Sequence, residues 1–427
     1  MDIGFAAGFS AAGEQVDIST ASTPGTRLGR TVKCHGPARW GALLILLVLF
    51  LAPWRTVLAQ QVEVAFAGFA YSGAQSTIAS RFPYSRRYEQ AQMSDGVPIR
   101  QLIAQQLQAN APQHLQIVDR IDELKGRDQA LAVALVIGNE TVSVEPFGSV
   151  YKLMVLVRGQ SMFFDFKSMN VVRAYPLSFA YIDVFDHSPT QSEIQDRVRL
   201  VYVGASGKPG ILARFSDRVA HAELPAQVSR YLQVTNVQLK PEALEVLPAY
   251  LKSEPGTAET WAADLISEAL SARAGVPIVP YAKGYAIGNT MSMSISDGSV
   301  FDLTLPKPDY EISAEISGFK KIKFSEVENG ATSFVYGAYS TMRIVEPLSN
   351  KLYLDTGLKN GETRVIPASQ RYVDDFPHFY DALNLTFNKL AAVIDGKGDE
   401  KWLKSAASAK GIDQQISQTR ELFRLCK

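Results

Sequence analysis

Cysteine is almost absent from this chain: 427 residues hold two, Cys34 and Cys426. One disulfide is the most they could form, so stability has to come from packing and not from covalent staples. Histidine is scarce as well. His114, His187, His221 and His378 stand far apart and form no helical metal pair. Gly-x-Ser-x-Gly and His-Glu-x-x-His are missing, which removes the common esterase and zinc-protease designs. No motif implies a cofactor. Charge of one sign is lacking too, with 43 basic and 43 acidic side chains. Nucleic acid calls for a basic face that this balance does not supply. No apolar run reaches the about 20 residues that span a bilayer comfortably.

What is present begins with a leader. Gly41 to Leu51 is an unbroken small and apolar run. Arg27, Arg30, Lys33 and Arg39 precede it, and Val57-Leu58-Ala59 follows with acceptable residues at the two positions a signal peptidase reads. Basic end, short apolar core and small-residue exit are the three parts of a secretory signal. Pro53 ends any helix between core and exit. The expectation is export with cleavage near Ala59, the alternative being an uncleaved anchor. Cys34 precedes the core, where a lipid-modified cysteine would have to follow it. A leader of 59 residues holds five of the basic and three of the acidic side chains, leaving 38 against 40. The exported part then carries Cys426 alone, read as an apolar residue on the last helix. A disulfide-free exported chain fits a bacterial envelope, so the expected location is periplasmic or otherwise exported, with no transmembrane span in the mature chain.

Beyond the leader the hydrophobic period alternates between strand and helix. Val62 to Phe69 reads as a strand, Ser80 to Gln92 as a polar aromatic loop, and Pro98 to Ala109 as a helix with the stripe Ile99, Leu102, Ile103 and Leu107. Leu115 to Val118 is a short strand. Leu131 to Ile137, Tyr151 to Val157, Met162 to Phe166 and Val171 to Tyr175 are further strands, with turn residues at Lys167 to Asn170. Ser188 and Pro189 suit a helix start, and a second helix runs near Gly210 to His221. The order then recurs. Val234 to Leu251 is extended, Ala258 to Leu270 is a helix with Thr257 as cap, and Val276 to Val279 is a short strand. Met291, Met293 and Ile295 alternate with serines, as Tyr310, Ile312, Ala314 and Ile316 do with polar residues. Phe334 to Val345 and Lys351 to Asp355 follow, with Asn360-Gly361 as a hairpin turn. Asp375 to Ile394 is a helix, and Ile412 to Leu425 a last amphipathic one.

This predicts an α+β fold of two similar units, each a mostly antiparallel sheet with helices on one face. The divisions are a leader over 1–59, units over 60–229 and 230–395, and a helical tail over 396–427. The order in the first unit, with Val62 to Phe69, the Leu102–Leu107 helix, the strand Leu115 to Asp119 and the hairpin Tyr151 to Tyr175, resembles the periplasmic α/β domains of the curli-secretion channel protein, the flagellar T-ring protein and the TolB amino-terminal domain. That resemblance implies a non-enzymatic part of an envelope assembly and carries over no functional residues.

Three segments have chemistry to weigh. Asp183, Asp186 and His187 gather two carboxylates and an imidazole within five residues, as acid/base and metal sites do, although Ser188-Pro189 makes a turn and helix entry the simpler account. Gly204 to Gly210 approaches a phosphate loop and fails it, with Tyr202 at the first glycine place and Pro209 at the hydroxyl place. Asp395, Asp399 and Glu400 lack the alternating oxygens of a calcium loop. For recognition, Arg81, Tyr84, Arg86, Arg87 and Tyr88 interleave the residue types favoured at interface centres. The functional expectation is an envelope component working through protein contacts with envelope proteins or itself. The alternatives are a small-ligand site between the two units and a hydrolase with dispersed residues.

Overall fold

The computed structural model describes residues 61–112, 114–119, 130–205, 207–224, 230–327, 330–370 and 372–427. The expected leader, with Cys34 and the exit at Ala59, lies outside them. Among the described residues no helix is long and apolar enough to cross a membrane.

The first half runs β1 (Val62–Ser72), α1 (Gln75–Arg81), α2 (Pro83–Ser94), α3 (Ile99–Ala109), β2 (Leu115–Val118), β3 (Leu131–Phe147), β4 (Val150–Asp165), β5 (Asn170–Phe185), α4 (Gln191–Val203), a small hairpin β6 (Gly204–Ala205) and β7 (Lys208–Pro209), and α5 (Ile211–Ala220). The second runs β8 (Leu232–Leu239), α6 (Pro241–Glu245), α7 (Thr257–Ala274), α8 (Ala282–Tyr285), β9 (Thr290–Ile295), β10 (Val300–Thr304), β11 (Tyr310–Glu326), β12 (Ala331–Glu346), β13 (Lys351–Pro367), α9 (Phe376–Ile394), α10 (Glu400–Ala406) and α11 (Ile412–Cys426).

The class is α+β. In the first sheet β1 pairs parallel with β2 and β3, and β3, β4 and β5 form an antiparallel meander. In the second, β8 pairs parallel with β11, and β11, β12 and β13 form the meander. A parallel bridge from Gln233 to Val279 stands where β2 stands in the first sheet. Strand β11 has the expected wet and dry faces: Tyr310, Ile312, Ala314 and Ile316 are buried, while Glu311, Ser313, Glu315 and Ser317 are half-buried.

The β9–β10 hairpin does not stay with the second sheet, although it is encoded after residue 230. It pairs with β1 through β9 and with β5 through β10, which closes β1, β3, β4, β5, β10 and β9 into a ring. Side-chain size explains how the ring can close so tightly. Ala65, Ala67, Ala70, Ala132, Ala134, Met162, Phe164, Met291, Met293 and Leu303 fill its inside. The large residues of β1, namely Phe66, Phe69 and Tyr71, turn out toward the helices. A bulge at Gly68, with φ of 122°, shifts the alternation between Phe66 and Phe69 so that both still face out.

Several elements differ from the sequence expectation, each for a reason in the tertiary contacts. Tyr151–Val157 and Met162–Phe166 are one strand, because Arg158, Gln160 and Ser161 between them are buried and stay in the ladder. Asn360-Gly361 is not a turn. Asn360 sits mid-strand, donates to the Ala382 carbonyl at 3.2 Å and accepts from Trp402 Nε1 at 3.1 Å and Lys389 Nζ at 3.0 Å. Residues 241–251 are helical turns and not extended chain. Helix α7 starts after Gly256 at φ 86°, with no cap from Thr257. The C-terminal helix α11 docks on the second half, with Ile412, Ile416, Leu422, Phe423 and Cys426 in its core. Cys426 is fully buried, and burial pushes its thiol up to about 12, so it packs as an apolar residue.

Candidate functional site

The five residues expected to recognise a partner do not form a loop. They lie at the end of α1 and along α2, folded against the first sheet. Helix α2 has few apolar residues to declare it, and its start is held from a distance. The Glu140 carboxylate, on β3, accepts from the Tyr84 and Ser85 amides at 3.0 and 2.6 Å and so takes the cap role at a helix N-terminus. Burial raises the Glu140 pKa against those bonds. Tyr88 is buried and stacks on Tyr202, ring centroids 4.7 Å apart. Arg86 pairs with Glu89 at 2.5 Å, Arg87 donates to Gln191 Oε1 at 2.8 Å, and Arg81 donates to the Ser72 carbonyl at 2.7 Å. The Tyr84 carbonyl accepts from Gln195 Nε2 at 3.1 Å. Arg81 and Arg87 remain exposed, but the group is bound to its own fold and offers no continuous face.

A different place is built as a site. A cleft of about 780 Å³ opens between β5 and α5 of the first half and α7 and α9 of the second. Each helix supplies the stripe opposite its core face. In α5, Ile211, Phe215 and Val219 are buried, while Arg214, Asp217 and Arg218 line the cleft. Helix α7 brings Glu268, Ala272 and Arg273, and α9 brings Tyr380, Asp381, Asn384 and Asn388. Leu177 and Phe179 of β5, with Ala269 and Leu385, give it an apolar wall. Lys208, on the failed phosphate loop, is at its rim with Gly207 and Pro209, and Arg364 enters from β13.

Electrostatically the cleft is basic, with five cationic and three acidic side chains. The acids are engaged. Glu268 accepts from the Ser178 amide at 3.2 Å and its hydroxyl at 2.5 Å. Asp381 takes Arg364 Nη2 at 2.8 Å, and burial raises its pKa more than Arg364 lowers it. Asp217 pairs with His221 at 3.3 Å. Arg214 and Arg273 are positioned without carboxylates. Arg214 donates from Nε to the Pro209 carbonyl at 3.0 Å and lies over the Phe179 ring at 5.2 Å. Arg273 donates from Nε to Asn388 Oδ1 at 3.0 Å.

No family model matches this chain. No curated protein matches it either. Over part of its length it is similar to solved structures of several bacterial proteins. One is a Xanthomonas campestris protein of the family model DUF330, at 11% identity, covering 41% of this chain and 88% of that one, with a TM-score of 0.20. Another is a putative neuraminyllactose-binding hemagglutinin homologue from Helicobacter pylori, at 11% identity, 43% and 96% coverage and a TM-score of 0.21. A minor lipoprotein from Acinetobacter baumannii overlaps at 11% identity, 43% and 100% coverage and a TM-score of 0.19.

The acid/imidazole group lies away from the cleft and builds a helix entry. Asp183 accepts from Arg197 Nε at 2.8 Å. Thr190, not Ser188, caps α4: its hydroxyl accepts from the Glu193 amide at 3.3 Å, and Glu193 accepts from the Thr190 amide at 2.8 Å. His187 bridges Asp186 Oδ1 at 2.7 Å and Glu193 Oε1 at 3.2 Å. Asp399 caps α10, and Asp395 pairs with Lys397 and Lys427, so neither serves a calcium loop. Among the described residues no group of three or more His, Cys, Asp or Glu could hold a metal.

The His187 bridge has a pH signature. Hydrogen bonds donated to Asp186, then to Glu193, raise the His187 pKa, and bonds from Thr190 depress Glu193 to about 2. The imidazolium contribution is therefore complete below the ordinary histidine pKa and is lost as pH rises through the raised one. The Glu193 contribution is present above the ordinary glutamate pKa and is lost as pH falls toward about 2. An NMR titration should place His187 above free histidine, and Asp186→Asn should return it most of the way. An unshifted wild-type titration would remove the bridge.

Proposed function

We propose that this chain is an exported bacterial envelope protein that works by binding and not by catalysis, with the cleft between β5, α5, α7 and α9 as its binding site. The observation that carries the reading is the cleft itself: its volume of about 780 Å³ falls within the range of small-ligand sites, and it lies where two packed halves meet, a usual place for them. The leader supports export. The shared order of strands in the two sheets is in keeping with the envelope domains that the sequence resembles. The engagement of Asp183, Asp186 and His187 in local ion pairs and a helix entry is in keeping with a structural role for them. The inward folding of Tyr88 takes away much of the case for a partner surface on α2.

Sedimentation of the native protein from gently solubilised envelopes, with its N-terminus sequenced from the same sample, tests this. The expected outcome is a chain beginning at or near Gln60 that migrates free or as a small oligomer. Retention of the leader would overturn export with cleavage. Migration in a stable large complex would favour an assembly component over a ligand-binding protein.

A further inference from the structure

We propose that the cleft takes a small organic ligand bearing two or more negative charges on oxygen, a phosphate ester or a polycarboxylate, held by Arg214, Arg218 and Arg273. This rests on the reading that the cleft is a binding site, and it adds the ligand's chemical class.

The argument is one of unbalanced charge and fixed geometry. Among the described residues, none of these three arginines has a carboxylate within ion-pair distance; Asp381 is paired with Arg364, Glu268 is held by Ser178, and Asp217 lies beside His221, so the cleft keeps an excess of positive charge. Three guanidinium groups thus face one cavity without a paired anion. Glu268 acts on Arg214 only through space. Like charges gathered in a partly desolvated cleft are unfavourable until an anion enters. Two of the three are also held in place. Arg214 is fixed by the Pro209 carbonyl and the Phe179 ring, and Arg273 by Asn388, in each case through Nε. That leaves the terminal nitrogens for a planar two-pronged grip on carboxylate or phosphate. A guanidinium immobilised before binding loses less entropy when it binds. The cleft is too large for a bare oxyanion alone, and the wall of Phe179, Ala272 and Leu385 suits an uncharged body.

The test is calorimetric titration of the full chain at low salt with citrate, pyrophosphate and glycerol 3-phosphate, alongside maltose as a neutral probe. Cosedimentation with phosphatidylglycerol and phosphatidylcholine vesicles forms a second arm. The expected result is saturable binding of at least one soluble anion that weakens with added salt. It should fall about tenfold or more in Arg273→Gln and in Arg218→Gln, with Arg273→Lys intermediate and circular dichroism unchanged. Binding of phosphatidylglycerol vesicles alone, with the same losses in the variants, would overturn the proposal in favour of a singly charged lipid headgroup. Anion binding indifferent to all three variants would overturn it. Maltose binding without anion binding would also overturn it while leaving the cleft as a binding site. Binding of none of the probes would sink both.

Discussion

Asp264→Ala should lower the unfolding free energy by about 3–5 kcal/mol, one of the largest single-residue losses expected in this chain. Asp264 on α7 meets Arg158 on β4 at 3.4 Å, and their side chains are 14% and 7% exposed. The contact joins the first sheet to a helix of the second half. Taking the carboxylate away removes a negative charge from beside a buried guanidinium, which cannot reach water without breaking the packing. The pair itself is not the source of the loss. Replacing both partners by apolar residues of similar size, as in Arg158→Met with Asp264→Leu, should restore most of the stability, since desolvation of both charges is then avoided. Urea denaturation of the wild type, the single and the double variant decides it. A double variant as unstable as Asp264→Ala would mean that the pair holds the halves together by more than charge neutralisation.

Tyr88→Ala should cost about 3–5 kcal/mol. The ring is 2% exposed and stacked on Tyr202, which is itself buried against Phe69. Tyr88→Phe should move the other way. Among the described residues the Tyr88 hydroxyl has no hydrogen-bond partner, and burial pushes its pKa up to about 12. Removing it relieves a desolvated donor while leaving the stack intact, so the variant should match or exceed the wild type by up to about 1 kcal/mol. Thermal and urea unfolding would show both signs. A surface-loop Tyr88 would give near-zero changes in each variant and return the residue to the partner-binding role that its composition suggests.

The elements that were legible share one property: the residues that bury them lie within a turn or two in sequence. The stripe Ile99, Ile103 and Leu107 appears as α3, and Phe379, Leu383, Phe387, Leu390 and Ile394 appear as the buried face of α9. The alternation in β11 is equally local. Helix α2 was not legible because its cap comes from Glu140 and its packing from Tyr202. The polar centre of β4 reads as a break until Asp264 arrives to cover Arg158. Asn360-Gly361 reads as a turn until Ala382, Lys389 and Trp402 satisfy the asparagine. The cleft had the weakest signal of all, two arginines a turn apart on the polar side of α5.

By itself the sequence determined an α+β class, the periods of the amphipathic helices and of β11, and reliance on packing over disulfides. These follow from composition and from contacts between near neighbours, which hydrophobic periodicity records directly. The tertiary structure alone decided that β9 and β10 close the first sheet, that the residues of α2 turn inward, and that Arg214, Arg218 and Arg273 share a cavity with their nearby acids already engaged. The reason is that a polar side chain has no period of its own. Whether it is solvated, paired or aimed at a ligand depends on which distant element packs beside it, and here those elements come from opposite halves of the chain.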